Sequence, residues 1–319
     1  MFQGIRELQA AKGRTLLITI TVGMITVMVT FLSALASGLS HESVSALQHR
    51  VTGDSSLVIS DSGSTAWNAS QLTDDQVAAT GGEAVKIARD RVGSDPVVFI
   101  TDPSVPNGHA SAPTDIAHAN PSLTVGSQEL KVDEDKENLS LDHLPAVFIS
   151  PEDATQLARP SVAAIVPAGE HPDVPGTQVL EGKKRWEASS SYAGEQMSLN
   201  LMINLLYVIS ALVLGAFFMV WTIQRLRGVA ISSALGAARK VLAADSLGQA
   251  LIVLAVGVVG GLAVTVGSVA LIGDALPAVV DASTTAKPAL ILILSGLLGA
   301  ALSLRPVMKV SPRAAMAAA

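Results

Sequence analysis

Apolar positions along this chain follow two regimes. Residues 15–36, 197–223, 247–272 and 289–304 are apolar almost without interruption. Each approaches the roughly 20 residues needed to cross ~30 Å of hydrocarbon. Residues 37–196 instead alternate short apolar runs with polar, turn-forming residues. Within that interval 55–60, 95–100, 145–150 and 161–167 predict strands. Thr73-Asp74-Asp75-Gln76 is a capping box, and Ser150-Pro151-Glu152-Asp153 places a cap, an N1 proline and first-turn acids before a second helix. Residues 102–121 are rich in Pro, Gly, Asn and Ser and predict a mobile loop.

The pattern predicts an α-helical membrane protein. Four transmembrane helices are expected, with a small α+β extracellular domain inserted between the first and second. The expected boundaries are 1–38 for a cytoplasmic segment and first span, and 39–196 for the outer domain with its stalk. They continue with 197–224 for the second span, 225–243 for a cytoplasmic loop, 244–304 for the third and fourth spans, and 305–319 for a tail. Ala34-Leu35-Ala36 resembles a signal-peptidase site, but the apolar stretch before it exceeds the 7–15 residues or so of a signal peptide. A retained span is therefore expected.

Composition agrees. Hydrophobic residues make up 49% of 319 and charged residues only 15%, against about a quarter charged in a soluble domain. A single soluble globule and a disordered chain are both excluded. There is no cysteine, hence no disulfide framework and no thiolate metal site. Three Trp, two Tyr and six Phe are too few for base-stacking platforms, so no nucleic-acid partner is expected.

Charge placement orients the spans. Arg6, Lys12 and Arg14 precede the first, Arg225, Arg227, Arg239 and Lys240 separate the second and third, and Arg305, Lys309 and Arg313 follow the fourth. The positive-inside rule puts both termini and the middle loop in the cytoplasm. Residues 37–196 are then outside; they carry 23 acidic residues against 10 Lys or Arg, and all six histidines.

Enzymatic signatures are missing. The nearest approach to a phosphate-binding loop, Gly176 to Lys184, has the wrong spacing and lies in the outer domain. There is no HExxH and no Gly-x-Ser-x-Gly. The chain is not expected to be an enzyme.

Several residues still stand out. Asn200 and Asn204, one turn apart, are expected to face protein rather than lipid. Met24, Met28 and Phe31 share one helical face, which reads either as ordinary packing or as an adaptable pocket with thioether ligands. Glu195, flanked by Tyr192 and Met197, is a carboxylate at the membrane edge, either a solvated end or a functional group. Gly257-x3-Gly261, Ser295-x3-Gly299 and Gly296-x3-Ala300 predict close helix packing. Residues 224–242 carry an amphipathic pattern with basic residues at both ends and Gly236 near the middle. That pattern fits a helix on the lipid surface or a docking helix for a cytoplasmic partner.

The order of spans, with Arg225-x-x-Gly228-Val-Ala followed by Ala234-Leu-Gly-Ala-Ala-Arg-Lys240, resembles the FtsX/MacB-type ABC transporter permeases. Val310-Ser-Pro-Arg-Ala-Ala315 is similar to that family's closing segment, although the family's C-terminal acid is absent and Ala230 stands where an acidic residue is common. Compact size and Ala/Val-rich spans are most similar to the haem-exporting members. The resemblance implies a complex of two permeases and two ATPase subunits in a bacterial cell membrane. ATP would be hydrolysed on the partner and coupled through Arg225, Arg227, Gly236 and Arg239. It also implies haem as the substrate, with no intrinsic cofactor. Met28, Phe31, Tyr192, Glu195 and Met197 are the candidate haem site, and Glu195 and Met28 the candidate ligands of the haem iron. Export of another amphipath, such as an antibiotic, peptide or lipoprotein, and a non-transporting mechanotransmission role stay open.

Overall fold

The computed structural model describes residues 12–170, 172–234 and 239–309. In chain order, α1 (Lys12–Arg50) leads to β1 (Ser56–Ser60), α2 (Asp74–Thr80), β2 (Glu83–Val92), β3 (Asp95–Thr101) and β4 (His109–Pro113). Next come α3 (Thr114–Ala119), β5 (Ser122–Val125), β6 (Gln128–Asp135), β7 (Ser140–Leu141) and β8 (Leu144–Ile149). The chain continues through β9 (Ser161–Val166), β10 (Thr177–Leu180), α4 (Ser190–Ala234), α5 (Arg239–Ile272) and α6 (Ala282–Lys309). It divides into two compact units, one of residues 1–37 with 199–319, the other of 38–198. Among the described residues, four helices are long and apolar enough to cross a membrane.

The helical unit is held by small residues. Gly257 and Gly261 of α5 lie so close to α1 that a Cβ on Gly257 would meet Val22 Cβ at 2.7 Å, and one on Gly261 the Gly23 carbonyl oxygen at 2.6 Å. Thr30 and Thr265 share a buried 2.8 Å hydrogen bond across the same interface. Gly299 of α6 meets the backbone of Gly215 in α4, and Gly296 receives Leu254 of α5. The three small-residue motifs therefore do pack helices, as expected. Ile18, Val22 and Val29 join Leu214, Phe218, Trp221, Leu254 and Leu292 in one core. Asn200 and Asn204, expected to face protein rather than lipid, are exposed and are not covered by this chain's own core. The buried stripe of α4 is Ser210, Leu214, Phe218 and Trp221. At ~100° per residue Asn200 falls in phase with Phe218 and Asn204 about 40° away, but both precede the stripe, where no residue of α4 is buried.

The strand unit is a sheet in the order β10-β1-β9-β2-β3-β8-β4-β6-β5, with β7 paired to β8. The four expected strands are β1, β3, β8 and β9. Their apolar runs are continuous because both sheet faces are covered. Val98, Ile100 and Phe148 point to one core, shared with Ala46 and Leu47 from the C-terminal part of α1 and with Val51 just beyond it. Val97, Phe99, Val147 and Ile149 point to the other. The capping box is present, with Thr73 Oγ1 accepting from the Gln76 N–H and Gln76 Oε1 from the Thr73 N–H.

Two local expectations are corrected. The helix expected after Ser150 is a single 3-10 turn, Asp153–Gln156, although Ser150 Oγ does accept the Asp153 N–H. Residues 102–121 hold β4 and α3, because Ala110 and Ala112 pair into the sheet and Ile116 seals its core. The helices also overrun the apolar stretches. Tertiary contacts continue α1 to Arg50, through the buried Val44 and Leu47. A polar cap starts α4 at Ser190 rather than at Met197.

Candidate functional site

Leu141 pairs with Leu144, so the β7–β8 hairpin closes through two residues, Asp142 and His143. Both sit at positive φ, 52° and 61°. That is the turn whose twist suits a hairpin, usually built from Asn and Gly. Asp and His tolerate the conformation better than most residues but at some cost.

Hydrogen bonds to two helices hold this turn. The Asp142 and His143 backbone N–H groups donate to the carbonyls of Ser43 and Glu42 in α1, at 3.1 and 3.2 Å. The Asp142 carboxylate caps α4: Oδ1 accepts from Ser189 Oγ at 2.7 Å, and from the Ser191 N–H and Oγ at 3.1 Å each. Oδ2 accepts from Arg89 at 2.7 Å. Ser189 Oγ in turn accepts the Tyr192 N–H at 3.1 Å, an N-cap bond that starts the helix. Burial alone would raise the Asp142 pKa, but the Ser189 and Ser191 bonds and the Arg89 charge lower it below the usual carboxylate range.

His143 bridges two acids. Its Nε2 lies 2.7 Å from Glu195 Oε1 and its Nδ1 3.1 Å from Glu42 Oε2. Ser43 Oγ is 3.2 Å from Nε2 and donates to Glu195 Oε2 at 3.3 Å. Burial disfavours the imidazolium, yet hydrogen bonds and charge from Glu195 and Glu42 outweigh it and raise the His143 pKa.

Among the expected site residues, Tyr192 and Glu195 therefore lie beside this turn, and Met197 follows half a turn later with 79% of its surface exposed. Glu195 is half-buried, and both its oxygens have partners within the chain. Met28 and Phe31 belong to the helical unit. Met24 and Met28 are exposed at 63% and 58%, with Phe31 half-buried, so the methionines do not fill this chain's own core. Gly236 lies outside the described residues, and only the backbone is described for Arg225, Arg227 and Arg239. Sequence reading missed Glu42, Ser43, Asp142 and His143. A polar pair between Leu141 and Leu144 was the available signal for the turn.

Residues 200–312 match the FtsX-like permease C-terminal family. This part of the chain is an FtsX-like permease domain. The membrane permease is also similar to a Staphylococcus haemolyticus protein provisionally named hemin transport system permease protein HrtB. The two are 36% identical over 139 residues, 44% of this chain and 40% of that one, so the matched stretch is less than half the length of this relative. Two Staphylococcus epidermidis proteins of the same provisional name are 24% identical over 338 residues, 96% of each chain. Among the described residues, no cluster of three or more His, Asp or Glu side chains is arranged to hold a metal ion. The family match thus falls on α4 to α6 of the helical unit, and the acid–imidazole cluster belongs to the strand unit.

Proposed function

We propose that this permease exports haem from the membrane, as one of two protomers that work with two separate ATPase subunits. The observation that carries the reading is the end-to-end similarity to the Staphylococcus epidermidis proteins named for hemin transport. The basic residues of the 225–240 loop and of both terminal segments support, by the positive-inside rule, a cytoplasmic side for all three, where ATP is, and the outside for the strand unit. Arg225, Arg227, Gly236 and Arg239 dock the ATPase.

Haem is flat and apolar, with two propionates and an iron that accepts carboxylate or thioether ligands. Glu195 and Met28 are the proposed iron ligands, in succession rather than together. Glu195 meets Ser43, and Met28 lies 15 residues before Ser43 in α1, about 22 Å along the helix. Phe31 is the apolar contact beside Met28, and Tyr192 and Met197 those beside Glu195. Exposure of Met24, Met28, Asn200 and Asn204 supports a second protomer covering those faces of α1 and α4. Transport further requires that haem interact differently with the open and closed states, since equal affinity would couple nothing to ATP.

The test is a haemin titration of the purified permease followed by its Soret band. Glu195→Ala and Met28→Ala should each shift the band and lower haemin tolerance in cells without lowering expression. Parent-like spectra and tolerance in both variants would remove the site. A parent that binds no haemin at all would turn the reading toward another amphipath.

A further inference from the structure

The Asp142–His143 turn does more than close a hairpin. A glycine-containing turn would do that with less strain, yet two side chains with hydrogen-bonding reach occupy the left-handed positions. Strain of this kind persists where the surroundings over-determine it, and here two helices do so. On the α1 side, the turn's backbone donates to Glu42 and Ser43, His143 Nδ1 meets Glu42, and Ser45 Oγ exchanges hydrogen bonds with both backbone groups of Ser140. On the α4 side, Asp142 caps the helix start and His143 Nε2 meets Glu195 one turn further on. Leu141 anchors the hairpin in the sheet core and is 2% exposed.

We propose that this turn is a clasp, tying the C-terminal part of α1 to the start of α4 and keeping Glu195 occupied until a ligand takes its carboxylate. His143 is then a positioning residue for Glu195. The clasp stands on the geometry of the strand unit alone, whereas its release by ligand rests on the haem reading above. Release follows from the inventory of atoms. Glu195 Oε1 faces His143 and Oε2 faces Ser43, so an iron taking either oxygen competes with a bond that joins the helices. Competition is reciprocal: what loosens the clasp must tighten ligand binding by the same factor.

Hydrogen exchange followed by mass spectrometry on the full chain in lipid nanodiscs tests the clasp. His143→Asn keeps a residue that accepts positive φ but is too short to reach both acids. Exchange in peptides covering 40–46 and 190–197 should rise about fivefold, as for loss of a half-exposed charged contact. Glu42→Gln, which leaves the turn sequence intact, should loosen 40–46 alone. Unchanged exchange in both variants would overturn the clasp.

Haemin titration tests the second half. His143→Asn should bind haemin about fivefold more tightly than the parent. Equal or weaker binding would overturn the holding role, weaker binding making His143 a ligand contact itself. If the parent binds no haemin, the haem reading fails, and the clasp stands or falls on exchange.

Discussion

Gly260 and Gly261 are chain neighbours in α5 with opposite surroundings, which makes them a matched test of the helical unit. A Cβ on Gly261 would lie 2.6 Å from the Gly23 carbonyl oxygen and 2.6 Å from Thr26 Cβ, while one on Gly260 would meet nothing within 4 Å. A backbone oxygen cannot rotate away as a side chain can, so Gly261→Ala has to push α1 and α5 apart. Overpacking of this kind costs about 1–3 kcal/mol. The Thr30–Thr265 bond, 2.8 Å long at the next turn, would be stretched as well, adding about 0.6 kcal/mol. Gly260→Ala has no such contact and should gain up to about 1 kcal/mol from reduced backbone freedom. That backbone gain is common to both alanines, so they should differ by the packing terms alone, roughly 1.5–3.5 kcal/mol, with Gly260→Ala the more stable. Thermal unfolding of the purified full chain in one detergent, compared across parent and both variants, reads the difference. Equal midpoints for the two variants would refute the close α1–α5 approach.

Three other outcomes are expected. Asp102, with its side chain 6% exposed, accepts the Ser104 N–H at 2.8 Å and lies 3.4 Å from His49 and 3.9 Å from Arg50. Burial opposes its charge but these partners lower its pKa, so its contribution is complete above about pH 4 and is lost as pH falls through the lowered value. Asp102→Asn should remove that acid-labile part, seen as a flatter pH dependence of amide protection in β3 and β8 below about pH 4. Arg227→Glu with Arg239→Glu should weaken co-purification with the ATPase or uncouple its hydrolysis, and unchanged behaviour in both assays would discard the docking assignment. In this cysteine-free chain, single cysteines near Met28 or Asn200 should cross-link two protomers while cysteines in α6 do not. The reverse pattern would discard that interface.

Spans and packing motifs were legible in the sequence because each depends on local composition. An uncharged run of about 20 residues has few homes besides a membrane. Gly257-x3-Gly261 announces a close approach wherever it occurs in such a helix. Continuous runs such as Val97-Val98-Phe99-Ile100 declare buried strands, whereas β2, β4, β6 and β10 carry alternating or polar residues and give no such signal. Glu195 was legible as a carboxylate at a span's edge. What it touches was not, since Ser43 and His143 lie 152 and 52 residues away in the chain. Only the tertiary structure could decide that the continuation of α1 packs on the sheet, that Asp142 caps α4, and that His143 stands between two acids. Each is a contact between distant segments, set by where the sheet carries the β7–β8 turn. No periodicity within either segment encodes that meeting.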